Sequence, residues 1–274
     1  MSINRPQWRL LRTAPGKGAW NMAVDEAISL MVGEGRAPFT LRLYRWQPPC
    51  LSLGYFQEIG RVDLETCARR GVDVVRRPTG GKAILHDREL TYSLVVAEGE
   101  PQVAGSVVES YRKISAGLIA GLRRLGVLVE LGPAQPNPSS SGGGSLCFET
   151  PSDHELVAAG KKIVGSAQMR RNGVILQHGS IPLDFAAARL LEMFNYPDQE
   201  RASLQEILRQ RATSLNEILG RPVGVAEIEA ALVAGFQEAL GVGLFPGDLQ
   251  PDELKLADEL VQRRYSTRDW LYRR

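Results

Sequence analysis

The chain has 274 residues, 43% of them hydrophobic and 23% charged, and its 33 basic against 31 acidic side chains give a formal net charge of +2. That length and apolar fraction can build one large folded domain or two small ones, and the near-neutral balance excludes a global field for nucleic acid or an anionic membrane. No run approaches the roughly 20 apolar residues that span a bilayer, and the amino terminus has no apolar core with a small-residue cleavage site, so a cytoplasmic protein is expected.

In chain order, residues 8–13 alternate enough for a short strand. Asn21 is placed to cap a helix carrying Met22, Ala23, Ala27 and Ile28, with Asp25 and Glu26 near its start. Residues 39–46 alternate with period two, and Pro48 and Pro49 stop them before a strand over 50–55. A short helix over 62–70 ends at Gly71 and feeds residues 72–75 into a loop. A strand over 90–96, an amphipathic helix over 107–125 and a strand over 127–131 follow.

Residues 132–145 are too rich in Pro, Ser and Gly to pack. Strands rather than a new domain pattern come after them, so they read as a long active-site loop. Strands are expected over 155–158, 161–170 and 174–182, the last two joined by an Asn172-Gly173 hairpin turn, and then helices to the end. The tail from Arg263 carries five arginines and one aspartate. Adjacent strands without crossover helices exclude a doubly wound parallel fold, leaving an α+β fold with mixed or antiparallel sheets flanked by helices. Residues 1–250 are expected to form the catalytic domain, with 251–274 a helix and basic tail packed on it.

The most informative stretch runs from Arg76-Arg77 through Pro78, Thr79, Gly80 and Gly81 to His86-Asp87. It reads as strand, tight glycine loop and strand, where backbone N–H groups can approach a ligand and the arginines favour an anionic or carbonyl-rich one; an ordinary hairpin with solvated arginines is the plainer possibility. His86 is expected to orient the loop through Asp87.

Cys50, Cys67 and Cys147 are widely spaced with no C-x-x-C pair, which argues against a disulfide framework or a zinc site. Cys67 reads as core and Cys50 as a weak candidate for a reactive thiol. Cys147 follows the long loop, and Lys162 lies in a strand where Lys162, Val164 and Ser166 share one face. A partly buried ammonium near a thiol favours the thiolate, the form that attacks a thioester. A Cys147–His154 dyad stays open, as do a loop cysteine of no consequence and a solvated lysine.

The motif from Arg76 to Asp87, the run Gly160 to Ala167 and the pair His178-Gly179 resemble the biotin/lipoate protein ligase and octanoyltransferase superfamily. The segments 21–26 and 42–46 are similar to its amino-terminal part. The resemblance implies the catalytic-domain fold of those ligases. Among its members, the segment around Cys147 is most similar to octanoyltransferases that take the acyl group from octanoyl acyl carrier protein and give it to the lysine of a lipoyl-accepting protein such as the glycine-cleavage H protein.

It also implies Cys147 and Lys162 as catalytic residues. Arg76, Arg77, Thr79, Gly80, Gly81, His86, Gly165, Ser166, Ala167, His178 and Gly179 would line the substrate, and Tyr44, Trp46 and Leu85 would line a tunnel for the eight-carbon chain. No ATP, metal or other cofactor is expected, since the substrate brings its own phosphopantetheine arm. Lys82 and Ala83 stand where the superfamily often has a third glycine, and few residues follow the helix ending near Leu240. Both departures speak against the ATP-dependent lipoate ligase. An amidotransferase between lipoyl domains and a non-catalytic carrier-binding module stay open as well.

Overall fold

The computed structural model describes residues 5–132 and 155–274. The chain opens with β1 (Gln7–Arg12), α1 (Gly18–Gly33), β2 (Thr40–Tyr44), β3 (Cys50–Leu53), α2 (Leu64–Arg69), β4 (Asp73–Arg76) and β5 (Ile84–His86). It continues through β6 (Glu89–Ala97), α3 (Val107–Arg124), β7 (Glu130–Leu131), β8 (Leu156–Ala158), β9 (Lys161–Arg171) and β10 (Val174–Pro182). The last part is α4 (Ala187–Leu191), α5 (Asp198–Arg211), α6 (Leu215–Leu219), α7 (Val225–Leu240), β11 (Gly243–Pro246), α8 (Pro251–Leu260), a π-helical turn Val261–Tyr265, and α9 (Arg268–Leu271).

An eight-stranded mixed sheet runs in the order β11-β1-β2-β6-β10-β9-β8-β7, beside a three-stranded sheet β4-β3-β5. β1 pairs parallel with both β2 and β11, and β3 with β4, while β6, β9 and β10 form the antiparallel centre. The expected α+β architecture is therefore present. Buried residues on consecutive positions of β6 and β10 show why alternation is lost there: both faces of the central strands are covered.

One face packs on α3 and α7 through Leu94, Ile114, Leu118, Leu232 and Phe236. A Cβ on Gly235 would stand 2.2 Å from the Gly121 nitrogen, so these helices cross too closely for any side chain there. The other face takes α1, with Met22, Ala27, Ile28 and Leu176 in its core. α8 lies against α1, and buried Glu253 of α8 grips Arg9 of β1 with two hydrogen bonds of 2.7 and 2.5 Å.

Several local expectations need correction. α1 starts at Gly18, so Asn21 is an interior residue; its amide donates to the Gly16 and Arg45 carbonyls, and its oxygen accepts from Arg42. The strand at 127–131 shrinks to Glu130–Leu131. β11, which the glycines at 241 and 243 obscured, exists because β1 offers it a parallel edge. Among the described residues no helix is long and apolar enough to cross a membrane.

Candidate active site

The glycine loop between β4 and β5 is held from beneath. Arg77 is buried and donates to the carbonyl oxygens of Ser52, Gly80 and Lys82 at 3.0, 2.8 and 2.8 Å, so its fork curls the loop around itself. Arg76 is fully buried and donates to the carbonyls of Gly54, Gln57 and Leu271. The sequence placed both arginines at a ligand. In the structure their guanidinium groups donate to backbone carbonyls, since buried charges need partners. Gly54 lies under the loop, where a Cβ would fall 1.8 Å from the Gly81 oxygen. Gly81 itself takes φ +89°, the left-handed region that glycine tolerates.

Thr79 points inward. Its hydroxyl is 2.7 Å from Nε2 of His178 on β10, whose Nδ1 faces Asp25 of α1 at 3.5 Å. That order puts the imidazole proton on Nδ1 and makes Nε2 the acceptor of the Thr79 hydroxyl. Burial lowers the His178 pKa from its ordinary value despite the Asp25 charge, so the ring is neutral. Burial alone would raise Asp25, but the Arg42 guanidinium, 2.8 Å away, with the hydrogen bond from His178 holds it below the usual carboxylate range. Ser93 and Tyr44 complete its shell at 2.8 and 2.9 Å.

A second buried relay runs beside the first. His86 Nδ1 is 2.8 Å from Glu89 and Nε2 is 2.8 Å from the Ser52 hydroxyl, while Trp46 stacks on the ring at 4.0 Å. Glu89 also accepts from Thr91 and Ser180. Burial opposes its ionisation, but His86 and these hydroxyls hold its pKa below the ordinary value. Asp87, the expected partner of His86, pairs with Arg189 instead. Tyr44 and Trp46 are buried in the core, and Leu85 lines an apolar groove with Ile84, Pro182, Phe185 and Leu190.

Across from the loop, His178 pairs in register with Ala167, and Gly179 with Ser166. A Cβ on Gly179 would meet the Ser166 oxygen at 2.6 Å and a Tyr92 ring carbon at 2.7 Å, and the Tyr92 and Ser166 hydroxyls are 2.8 Å apart. Thr79 and His178 are thus adjacent to the half-exposed Ser166 and Ala167, and Gly165 is buried beside them. Lys162 lies further along the same strand. It is buried, as Val164 on its face led us to expect, and its ammonium is 2.5 Å from Glu155. Cys147 and His154 lie outside the described residues.

Burial raises the Cys50 thiol well above its ordinary pKa and pushes the Cys67 thiol up to about 11, so neither forms a thiolate near neutral pH. Among the described residues no cluster of His, Cys, Asp and Glu could hold a metal ion. The sequence reading missed Asp25, Arg42, Glu89 and Glu155 as members of the site. A signal existed for the first pair: Asp25 lies in an apolar helix and Arg42 in an apolar strand, and buried charges need partners.

Residues 17–237 match the model of the lipoyl protein ligase A/B catalytic domain. The chain belongs to the lipoyl protein ligase A/B catalytic-domain family. Within it, the chain is 48% identical to the octanoyltransferase LipM of Kyrpidia tusciae, covering 97% of this chain and 99% of that one. It is 38% identical to LipM of Bacillus subtilis, covering 99% and 100%. Among solved structures, a bi-partite lipoate protein ligase of Thermoplasma acidophilum superposes with a TM-score of 0.80 at 26% identity, covering 97% of this chain and 96% of that one. A lipoate-protein ligase A bound with ATP superposes with a TM-score of 0.79 at 27% identity, covering 97% and 98%. The expected ligase-type fold is borne out.

Proposed function

We propose that this chain is an octanoyltransferase of lipoate biosynthesis that works through a thioester on Cys147. The observation that carries the reading is near full-length similarity to octanoyltransferases, at 48% identity in one relative and 38% in another. The burial of Cys50 and Cys67 supports the choice of thiol, because neither can be the nucleophile.

In the first step the Cys147 thiolate attacks the octanoyl thioester of acyl carrier protein. A new S–acyl bond forms, the old one breaks, and the carrier's phosphopantetheine thiol leaves with a proton. The exchange is nearly isoenergetic and proceeds without ATP or a metal. In the second step the deprotonated amine of a lysine on a lipoyl-accepting protein, such as the glycine-cleavage H protein, attacks the acyl-enzyme. An amide forms and the Cys147 thiol is released; conversion of thioester to amide drives the reaction forward.

Lys162 stabilises the thiolate, and its buried setting strengthens any charge interaction it makes. Backbone N–H groups of Gly80-Gly81 and Gly165-Ser166 hold the carbonyl oxygen as it gains charge. Thr79, His178 and Gly179 shape the wall between them. The proteins meet in the cytoplasm, where the carrier thioester is made.

Structural similarity to ATP-bound lipoate-protein ligase A favours a second reading, in which Lys162 contacts an acyl-adenylate and Cys147 is dispensable. Intact-mass spectrometry separates the two. The protein incubated with octanoyl carrier protein and no ATP should gain one octanoyl group that hydroxylamine removes, and Cys147→Ala should gain none. An adduct that needs ATP, or that forms equally on Cys147→Ala, rules out the thioester route. Adding apo-H protein or an apo-lipoyl domain to the loaded enzyme then identifies the acceptor.

A further inference from the structure

The last residues of the chain reach back beneath the glycine loop. The Trp270 indole N–H donates to the Arg76 carbonyl oxygen at 2.9 Å, and Arg76 returns two hydrogen bonds, from Nε and Nη2, to the Leu271 carbonyl at 3.0 and 2.7 Å. The remaining arm, Nη1, donates to Gly54 and Gln57 at 2.7 and 2.6 Å and reaches Tyr55 at 3.3 Å. The Ile59 amide donates to the Arg274 carbonyl, and the Arg273 guanidinium lies 4.0 Å over Tyr55 and 4.8 Å over Trp270. The buried Arg76 cation is thus held by carbonyl dipoles, and the tail supplies one of them twice.

Residues 54–57 are the tail's route to the site. The Tyr55 amide donates to the Thr79 carbonyl at 2.9 Å, the Arg77 amide to Leu53 at 2.9 Å, and Gly54 touches Gly81 with no room for a Cβ. A shift of the 54–57 segment must therefore move Thr79, Gly80 and Gly81. The chain of contact runs from Trp270 and Leu271 through Arg76 to residues 54–57 and the loop.

We propose that the Trp270–Leu271 segment is a positioning element for the acyl site: clasped on Arg76, it fixes the height of the glycine loop. Trp270 and Arg76 are positioning residues and touch no substrate. The proposal rests on the loop being a wall of the acyl site, but its structural half can be tested without that reading. Without the indole donor or the guanidinium fork, the loop becomes looser, while α3 and α7 lie in a different core cluster from the ones Trp270 and Leu271 pack against.

The test uses Trp270→Phe, which keeps the ring and removes the N–H, and Arg76→Lys, which keeps the charge and removes the fork. Hydrogen exchange is followed in peptides covering 53–57 and 76–83, beside the single-turnover rate of octanoyl adduct formation at saturating carrier. We expect exchange in both peptides to quicken about fivefold in Trp270→Phe and more in Arg76→Lys, as loss of one and of several hydrogen bonds predicts. The adduct rate at saturation should fall by a similar or larger factor, and the exchange of α3 and α7 should not change. Unchanged loop exchange in both variants overturns the proposal, as does looser exchange with an unchanged adduct rate. If wild-type enzyme forms no adduct, the acyl-transfer reading has failed, and the exchange data still decide whether the clasp controls the loop.

Discussion

Gly54→Ala adds one methyl group at the place where the structure has least room for it. The new Cβ would stand 1.8 Å from the Gly81 oxygen and 2.8 Å from its carbonyl carbon, where ordinary contact begins at 3.4 Å. Backbone lies on both sides, so no flexible side chain can yield, and the glycine loop must retreat by about 1.6 Å. A retreat of that size breaks the Tyr55–Thr79 bond or the Arg77–Gly80 bond, and overpacking of this kind costs about 1–3 kcal/mol. The catalytic effect should be larger than the effect on folding, because misplacing reacting groups by about 1 Å can cost about a hundredfold in rate. Urea unfolding gives the first quantity and single-turnover adduct formation the second. Gly80→Ala is the control: nothing lies within 4 Å of its Cβ, so folding should be untouched, and any loss of rate there reports contact with substrate. Gly54→Ala with wild-type rate and stability would refute the idea that a rigid, closely seated loop forms the acyl wall.

Asp25→Asn leaves buried Arg42 without its carboxylate, and chemical denaturation should show a loss of about 3–5 kcal/mol. Asp25 and Glu89 both have depressed folded-state values, so their contribution is complete above the unfolded carboxylate range of about 4 and disappears as pH falls through the folded values. Urea midpoints should therefore hold from neutral pH to about pH 5 and fall below about pH 4, more steeply in wild type than in Asp25→Asn. If Lys162 stabilises the Cys147 thiolate as proposed, Lys162→Met should slow adduct formation at least about tenfold, read by mass spectrometry. Iodoacetamide on the folded protein should leave Cys50 and Cys67 unmodified by peptide mapping, since both are buried and protonated.

Much of the fold could be read from local pattern. The Asn172-Gly173 turn joins β9 and β10 with Asn172 at φ 52° and Gly173 at φ 72°, as a two-residue hairpin requires. The apolar stripe of residues 107–125 became α3 with a Ser106–Glu109 capping box. What local pattern could not show is where polar groups find partners. Arg76 meets Leu271 at a separation of 195 residues, and nothing within a few positions of either announces it. Adjacency points His86 to Asp87, but Asp87 lies past the end of β5 and pairs with Arg189; Glu89, at the start of β6, is the carboxylate that reaches the His86 ring. Lys162 was legible because its strand face included Val164, a signal of period two and nothing more.

The long-range polar contacts share a geometry that says what they are for. Arg9 holds Glu253 across 244 residues, Arg264 and Tyr265 hold Glu26 across 238 and 239, and Arg76 holds Leu271. Each ties the C-terminal segment to the amino-terminal part of the chain. Buried charge pairs of this sort give little net stability over well-packed apolar residues, since desolvation cancels most of the attraction. Their value lies in the error they forbid: an apolar α8 could slide along α1 at small cost, whereas a slide that parts Glu253 from Arg9 or Glu26 from Arg264 leaves buried charges unpaired. Replacing Arg9 and Glu253 together by Met and Leu should then hold overall stability near wild type while loosening the register of α8. Hydrogen exchange in the peptide covering 251–265 would rise with global unfolding free energy unchanged; faster exchange accompanied by a matching loss of global stability would show that the pair acts through stability alone.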